Sequence, residues 1–214
     1  MKNIFTFLLL FASPFVFGQT IYFNTGVNMT SYDYKNSGGG TNSNVLSSNG
    51  VFYELGYGIP LDYSGRSRGW GRYSRMLFKT GLSLNNYNAT GGNTLDNYDW
   101  SSQYIGLRTG VEYMLFPNSS VTASIEGGVG FETLLSGKQK IGGETFNLKD
   151  NDEFNGLFIT PKLGVNVLYN VTEDVGLSGG LHFSKALTMK GESAGEKLQF
   201  NNTHFSFGII IQAY

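Results

Sequence analysis

Glu54, Lys79, Arg108, Glu112, Glu126, Glu132 and Lys162 are the residues best placed to do electrostatic work, because each stands in a weakly charged stretch where apolar and small residues alternate. In an extended chain, residues two apart share a face. Each of these charges therefore lies opposite the apolar side of its own segment. If consecutive segments fold back as hairpins about their midpoints, Glu54 falls opposite Lys79, Lys79 opposite Arg108, Glu112 opposite Glu126, and Glu126 opposite Lys162. Such a belt would be held by cross-strand ion pairs, with Arg108 or Lys162 needed to offset the repulsion between Glu112 and Glu126. Two uses fit it. The plainer one is to fill and lock a narrow interior, since a small closed sheet has room only for side chains. The other is to line a gated ion path.

His182 and His204 fall on the same polar face and meet by the same folding. A metal centre wants a third or fourth ligand, and none accompanies them, so no metal or cofactor is expected. Ser184 and Ser206 lie two residues from these histidines and keep a Ser–His hydrolase or acyltransferase in view. Their inward parity opposes it, because a lipid would arrive from the apolar side or through a lateral opening of the kind Pro161 could mark. No catalytic residue is assigned. A further cluster holds Arg66, Arg68, Arg72 and Arg75 around Trp70 and Tyr73. It reads as an anchor, Arg on lipid phosphates and Trp at an interface, or as a docking turn for another protein. Asp150, Asp152 and Glu153 lack the Gly and spaced oxygens of a calcium loop.

The elements that must position these residues are strands. From Gln19 onward strict alternation dominates. Ile21, Phe23, Thr25, Val27 and Met29 oppose Asn24, Gly26 and Asn28; Val51, Tyr53, Leu55, Tyr57 and Ile59 oppose Phe52, Glu54, Gly56 and Gly58. The same scheme recurs from Met76 to Leu84, Ile105 to Leu115, Val121 to Phe131, Leu157 to Tyr169, Val175 to Phe183 and Phe205 to Ile211. That makes eight runs, and an even number lets a sheet close and lose its edges. The polar face is crowded with glycine, including Gly26, Gly56, Gly81, Gly110, Gly128, Gly164 and Gly208, as suits a cramped lumen, while the apolar face carries no charge. Tyr22, Tyr57, Tyr113, Phe116, Phe131 and Tyr169 are expected in interfacial girdles. A secreted soluble barrel with its apolar face inward is the rival architecture.

Composition agrees: charged residues are 14% of the chain, aromatics 15%, and Gly supplies 30 of 214 positions. The net charge of −1 gives no bulk attraction for nucleic acid. The absence of Cys removes disulfides and thiolate chemistry. Residues 1–18 have the form of a signal peptide, with Lys2, an apolar run and Gly18 before the expected cut. Residues 19–214 then form one domain. Gaps at 31–50, 88–101, 134–156 and 186–199 are long and polar, placing Tyr32, Tyr34, Tyr87, Tyr98 and Trp100 in outer loops, whereas 116–120 and 170–174 are short turns. Long outer loops and short periplasmic turns put both termini in the periplasm.

With the eight amphipathic strands, the leader ending in Phe17, Gly18 and Gln19, and a last strand over 204–214 ending in an aromatic, the chain resembles the small outer-membrane β-barrels related to OmpA and OmpX, of Bacteroidota type. The resemblance implies an all-β, eight-stranded, antiparallel, up-and-down transmembrane barrel in the outer membrane. It also implies that Phe205, Phe207, Ile209, Ile211 and Tyr214 serve as the insertion signal read by the barrel-assembly machinery, although Tyr214 has the opposite parity. The expected role is non-enzymatic, structural or interactive, as an accessory subunit of a larger outer-membrane complex. Outer-membrane lipids and other outer-membrane or periplasmic proteins are the expected partners. A narrow channel and a lipid-modifying enzyme are the alternatives.

Overall fold

The computed structural model describes residues 19–35, 45–61, 74–92, 97–117, 119–151, 153–188 and 197–213. Nine strands follow one another: β1 (Gln19–Lys35), β2 (Val45–Pro60), β3 (Met76–Gly92), β4 (Asn97–Met114), β5 (Val121–Ile141), β6 (Glu144–Asn147), β7 (Leu157–Asn170), β8 (Val175–Thr188) and β9 (Lys197–Ala213). Eight of them form the wall. Each pairs antiparallel with its sequence neighbours, and β1 pairs with β9 from Gln19↔Ala213 to Lys35↔Lys197, so the sheet closes on itself. The short β6 is not a stave of its own; it caps the upper end of β5 as a hairpin. Gly142 and Gly143 make that two-residue turn, with φ of +56° and +92°. A primed hairpin turn demands such positive values, and glycine supplies them without strain.

Alternation decides which face goes where. Phe23, Leu55, Leu82, Leu163 and Phe207 point outward, with Phe207 70% exposed, whereas Glu54, Lys79, Arg108, Glu112 and Glu126 point inward and are at most 8% exposed. The soluble alternative, with apolar side chains inside, is therefore inverted. On β2, β3 and β4 the exposed apolar set runs from Val51 to Ile59, Met76 to Leu84 and Ile105 to Tyr113. At ~3.4 Å per residue and a tilt near ~40° this is a band about 20 Å tall, close to the ~25 Å of a membrane barrel.

The strands do not stop at the edge of the band. They run 14 to 21 residues in the wall, against the ~9–11 a bilayer crossing takes. Beyond the band the parity persists but its chemistry inverts. Outward positions become Asn49, Asn86, Asn88 and Gln103, where the Gln103 amide donates to Asn86 at 3.0 Å and the Asn88 amide to the Asn49 carbonyl at 2.9 Å. Inward positions become Tyr32, Tyr87, Ala89, Leu198 and Phe200. Residues expected in loops over 88–101 and 134–156 are in large part this extension. Tyr32 and Tyr87 are lumen residues, not loop residues, and Tyr22 is buried inside at 2% exposure, so it belongs to no girdle.

Two irregularities shape the wall. Leu135 is an extra residue in β5, between Tyr104↔Leu134 and Gln103↔Ser136, so Gly137 turns inward and Lys138 outward beyond it. Between β7 and β8 the ladder lapses from Ile159↔Leu187 to Lys162↔Ser184, where Pro161 has no N–H to give.

Candidate functional site

The lumen is built in layers. At the short-turn end Leu77, Met114 and Leu168 pack together with Ile210. Above them lies the charge belt. Lys79 Nζ is 2.9 Å from Glu126 and 3.3 Å from Glu112, and sits 4.6 Å from the ring centre of Tyr22. Arg108 reaches Glu54 at 3.0 Å and Glu132 at 3.6 Å, and Lys162 reaches Glu126 at 3.3 Å and Glu54 at 3.7 Å. The belt therefore holds four carboxylates and three permanent cations, with the His182 ring 3.8 Å from Glu126.

Uncharged donors complete it. Tyr22 donates to Glu54 at 3.0 Å, Tyr87 to Glu132 at 2.7 Å, Asn85 to Glu132 at 3.2 Å, and Asn166 to both Glu112 and Glu126 at 3.0 and 3.1 Å. Ser124 donates to Glu112. A buried charge is tolerated only when paired and hydrogen-bonded, and each carboxylate of the belt meets that condition. Glycine makes the space: a Cβ on Gly81 would stand 2.8 Å from the Tyr22 hydroxyl, and one on Gly106 2.6 Å from Glu132. A cavity of about 10 Å3 lies among Tyr22, Glu54, Lys79, Arg108, Glu126 and Lys162, about what a single water needs.

Strand register corrects the midpoint arithmetic. Glu112 does stand opposite Glu126, and His182 opposite His204. Glu54, however, stands opposite Ser83, Lys79 opposite Gly58 and Gly110, and Glu126 opposite Gly164. None of the charges stands directly across the ladder from one of opposite sign, and the ion pairs form diagonally through the lumen, because the stagger of a closed barrel offsets each hairpin from its neighbour.

Above the belt, His204 Nε2 and Ser184 Oγ are 2.9 Å apart, and the Asn202 amide donates to Ser184 at 3.4 Å. His204 Nδ1 has no hydrogen-bond partner among the described residues, so no acid orients this imidazole as a general base would require. No group of three metal-ligating side chains occurs among the described residues.

The outer end is closed by aromatic packing. Tyr32, Tyr87, Tyr104, Phe158 and Phe200 form a cluster in which ring centres lie 4.7 to 5.6 Å apart along Tyr32–Phe200, Tyr87–Tyr104 and Tyr104–Phe200. Leu148 and Phe154, from the segment between β6 and β7, insert into it. The Tyr104 hydroxyl donates to the Phe154 carbonyl at 3.1 Å, tying that segment to the wall. Sequence reading missed the cap because it assigned Tyr32, Tyr87, Leu148 and Phe154 to loops; the unbroken inward parity of Asn85, Tyr87 and Ala89 was the available signal.

Phe205, Phe207, Ile209 and Ile211 point outward on β9. Arg66, Arg68, Trp70, Arg72 and Tyr214 lie outside the described residues. Arg75 lies just before β3, exposed.

No protein-family model matches the chain, and no curated protein does. Among solved structures the chain is similar to Neisserial surface protein A, at 14% identity over 89% of this chain and 97% of that one with a TM-score of 0.47. It is similar to the outer membrane protein OprG from Pseudomonas aeruginosa, at 14% identity over 92% and 97% with a TM-score of 0.48. It is also similar to the outer membrane enzyme PagL, at 12% identity over 87% and 99% with a TM-score of 0.36.

Proposed function

We propose that the protein is a non-enzymatic barrel of the bacterial outer membrane whose work is structural or interactive, done on its surfaces and not through its lumen. The observation that carries this reading is the pairing of an apolar outer band with an interior that holds an apolar cluster, a belt of ion pairs and an aromatic cap. The band supports residence in lipid. The apolar ring, the ion-pair belt and the aromatic cap stand in series and argue against conduction. Both termini are assigned to the periplasm, since the chain ends belong to the side of the short turns at 115–120 and 171–174. The leader over 1–18, insertion through the β9 aromatics, and membership of a larger complex through the Arg66–Arg75 turn are part of the same proposal.

Leu55 is 57% exposed near the middle of the band. An arginine there would meet hydrocarbon in the proposed setting and water in a soluble one. Leu55→Arg is expected to cost about 2–4 kcal/mol of unfolding free energy in phospholipid vesicles. A change within ~0.5 kcal/mol, as for an ordinary surface position, would remove the membrane reading. For the subunit role, the protein is purified in mild detergent from its own membrane, and stoichiometric partners lost on replacing Arg66, Arg68 and Arg72 by Ser are expected. A partner-free monomer from the unaltered protein would leave an autonomous barrel.

A further inference from the structure

The polar collar above the apolar band is broken by an open groove of about 630 Å3. That volume falls in the ~300–1,000 Å3 range of sites that hold small molecules. It crosses the outer faces of β3, β4, β5 and β6, and its lining includes Asn86, Ser101, Gln103, Ser136, Lys138 and Lys149. The β5 bulge creates it in part, because the extra Leu135 turns Lys138 to the outside.

Charge in this groove is of one sign. Lys138 and Lys149 are exposed, no carboxylate lines the groove, and neither lysine has an ion pair among the described residues. Asp99 stands opposite Lys140, further along the strands, and is not part of the lining. Apart from Phe146, whose exposed ring also lines the groove, the other side chains offer hydroxyls and amides, suited to the hydroxyls of a sugar. Cations flanked by such donors recognise phosphate or sulfate on a carbohydrate.

Position selects the source. Ile105 and Leu135, exposed at 41% and 43%, mark the upper limit of the apolar wall directly beside the groove. A ligand with acyl chains along that wall would bring its headgroup to the height of the lysines. We propose that the groove binds the phosphorylated sugar headgroup of an outer-leaflet glycolipid, with Lys138 and Lys149 holding phosphate and Ser101, Gln103 and Ser136 facing the sugar. This rests on the membrane reading above.

The test uses the full mature protein in phosphatidylethanolamine nanodiscs, with bisphosphorylated or dephosphorylated lipid A added and retained lipid counted by native mass spectrometry. The unaltered protein is expected to keep the bisphosphorylated form preferentially. Combined Lys138→Ser and Lys149→Ser is expected to weaken retention by about tenfold or more. Lys185→Ser, which removes an exposed lysine on β8 far around the wall, is expected to leave retention unchanged. Equal retention of both lipids, or an equal loss in Lys185→Ser, would overturn the site. Displacement of the lipid by a soluble sulfated disaccharide at matched concentration would overturn the lipid as the source and leave a free sugar anion. A protein that never inserts into the nanodisc would instead bring down the membrane reading.

Discussion

At the scale of single residues the belt behaves as a lock whose members differ in consequence. Arg108 is held by Glu54, Glu132 and the side-chain Oδ1 of Asn85 at 3.0, 3.6 and 3.3 Å, all buried. Arg108→Met takes from Glu132 its one cation among the described residues and leaves Glu54 with Lys162 at 3.7 Å, and the expected cost is about 3–5 kcal/mol. Glu112 differs, because it faces Glu126 directly and belongs to a set in which carboxylates outnumber permanent cations by four to three. Glu112→Gln relieves like-charge repulsion and keeps an oxygen for Ser124 and Asn166, so a change within ~1 kcal/mol is expected. Urea unfolding of both variants in vesicles decides it, and equal costs would mean that the belt does not act electrostatically. A smaller effect follows from space: Gly81→Val would press on the Tyr22 hydroxyl and the Leu55 carbonyl, with about 1–3 kcal/mol of overpacking expected in the same titration.

At the scale of elements, the segment between β6 and β7 is fastened by few groups: the buried Leu148 and Phe154, and the Tyr104 hydroxyl bond. Leu148→Ala with Phe154→Ala is expected to release it while the wall stays closed, so trypsin should cut after Lys149 in the variant and spare the unaltered protein. Cutting at equal rates would show that the aromatic cap does not hold this segment. The β7–β8 seam is the other weak element, since no ladder pairing joins 160–161 to 185–186. The amide of Lys185, which faces β7, is expected to exchange hydrogen faster than those of Leu181 and Phe183, which face the same strand where pairing is intact, and uniform protection would contradict the gap. These two elements also mark how far the sequence could be read. Period-two alternation was legible wherever an apolar outer face backed a polar lumen, which is why Val51 to Ile59 or Ile105 to Tyr113 stood out. Past the band the same strands carry apolar residues inward and Asn, Ser and Gln outward, so Tyr32 and Tyr87 sat among turn-like neighbours and read as loop. The Leu135 bulge was illegible for another reason: one extra residue is defined only against its partner strand. The charged residues of the belt were legible as one face, but who pairs with whom depends on barrel stagger, which no single hairpin contains.

At the scale of the whole molecule the three lumen layers are seals in series, and any path is blocked by the tightest of them. The belt holds a cavity of about 10 Å3 among its paired charges, and the cap above it is an aromatic core with Tyr87, Tyr104, Phe158 and Phe200 at 0% exposure. A hydrated ion crossing the belt would have to part side chains from their ion pairs. The unaltered protein is therefore expected to show no single-channel conductance in planar bilayers. Removing one seal should not change that: Leu148→Ala with Phe154→Ala loosens the cap and leaves the belt intact, so it too is expected to be silent. Conductance in the cap variant alone would mean that the belt is permeable and the cap is the gate. Conductance in the unaltered protein that disappears on changing Lys79 or Arg108 would restore the channel that these residues first allowed. Silence in both, with the barrel folded, leaves the outer wall and the extension beyond it as the surfaces on which the protein acts.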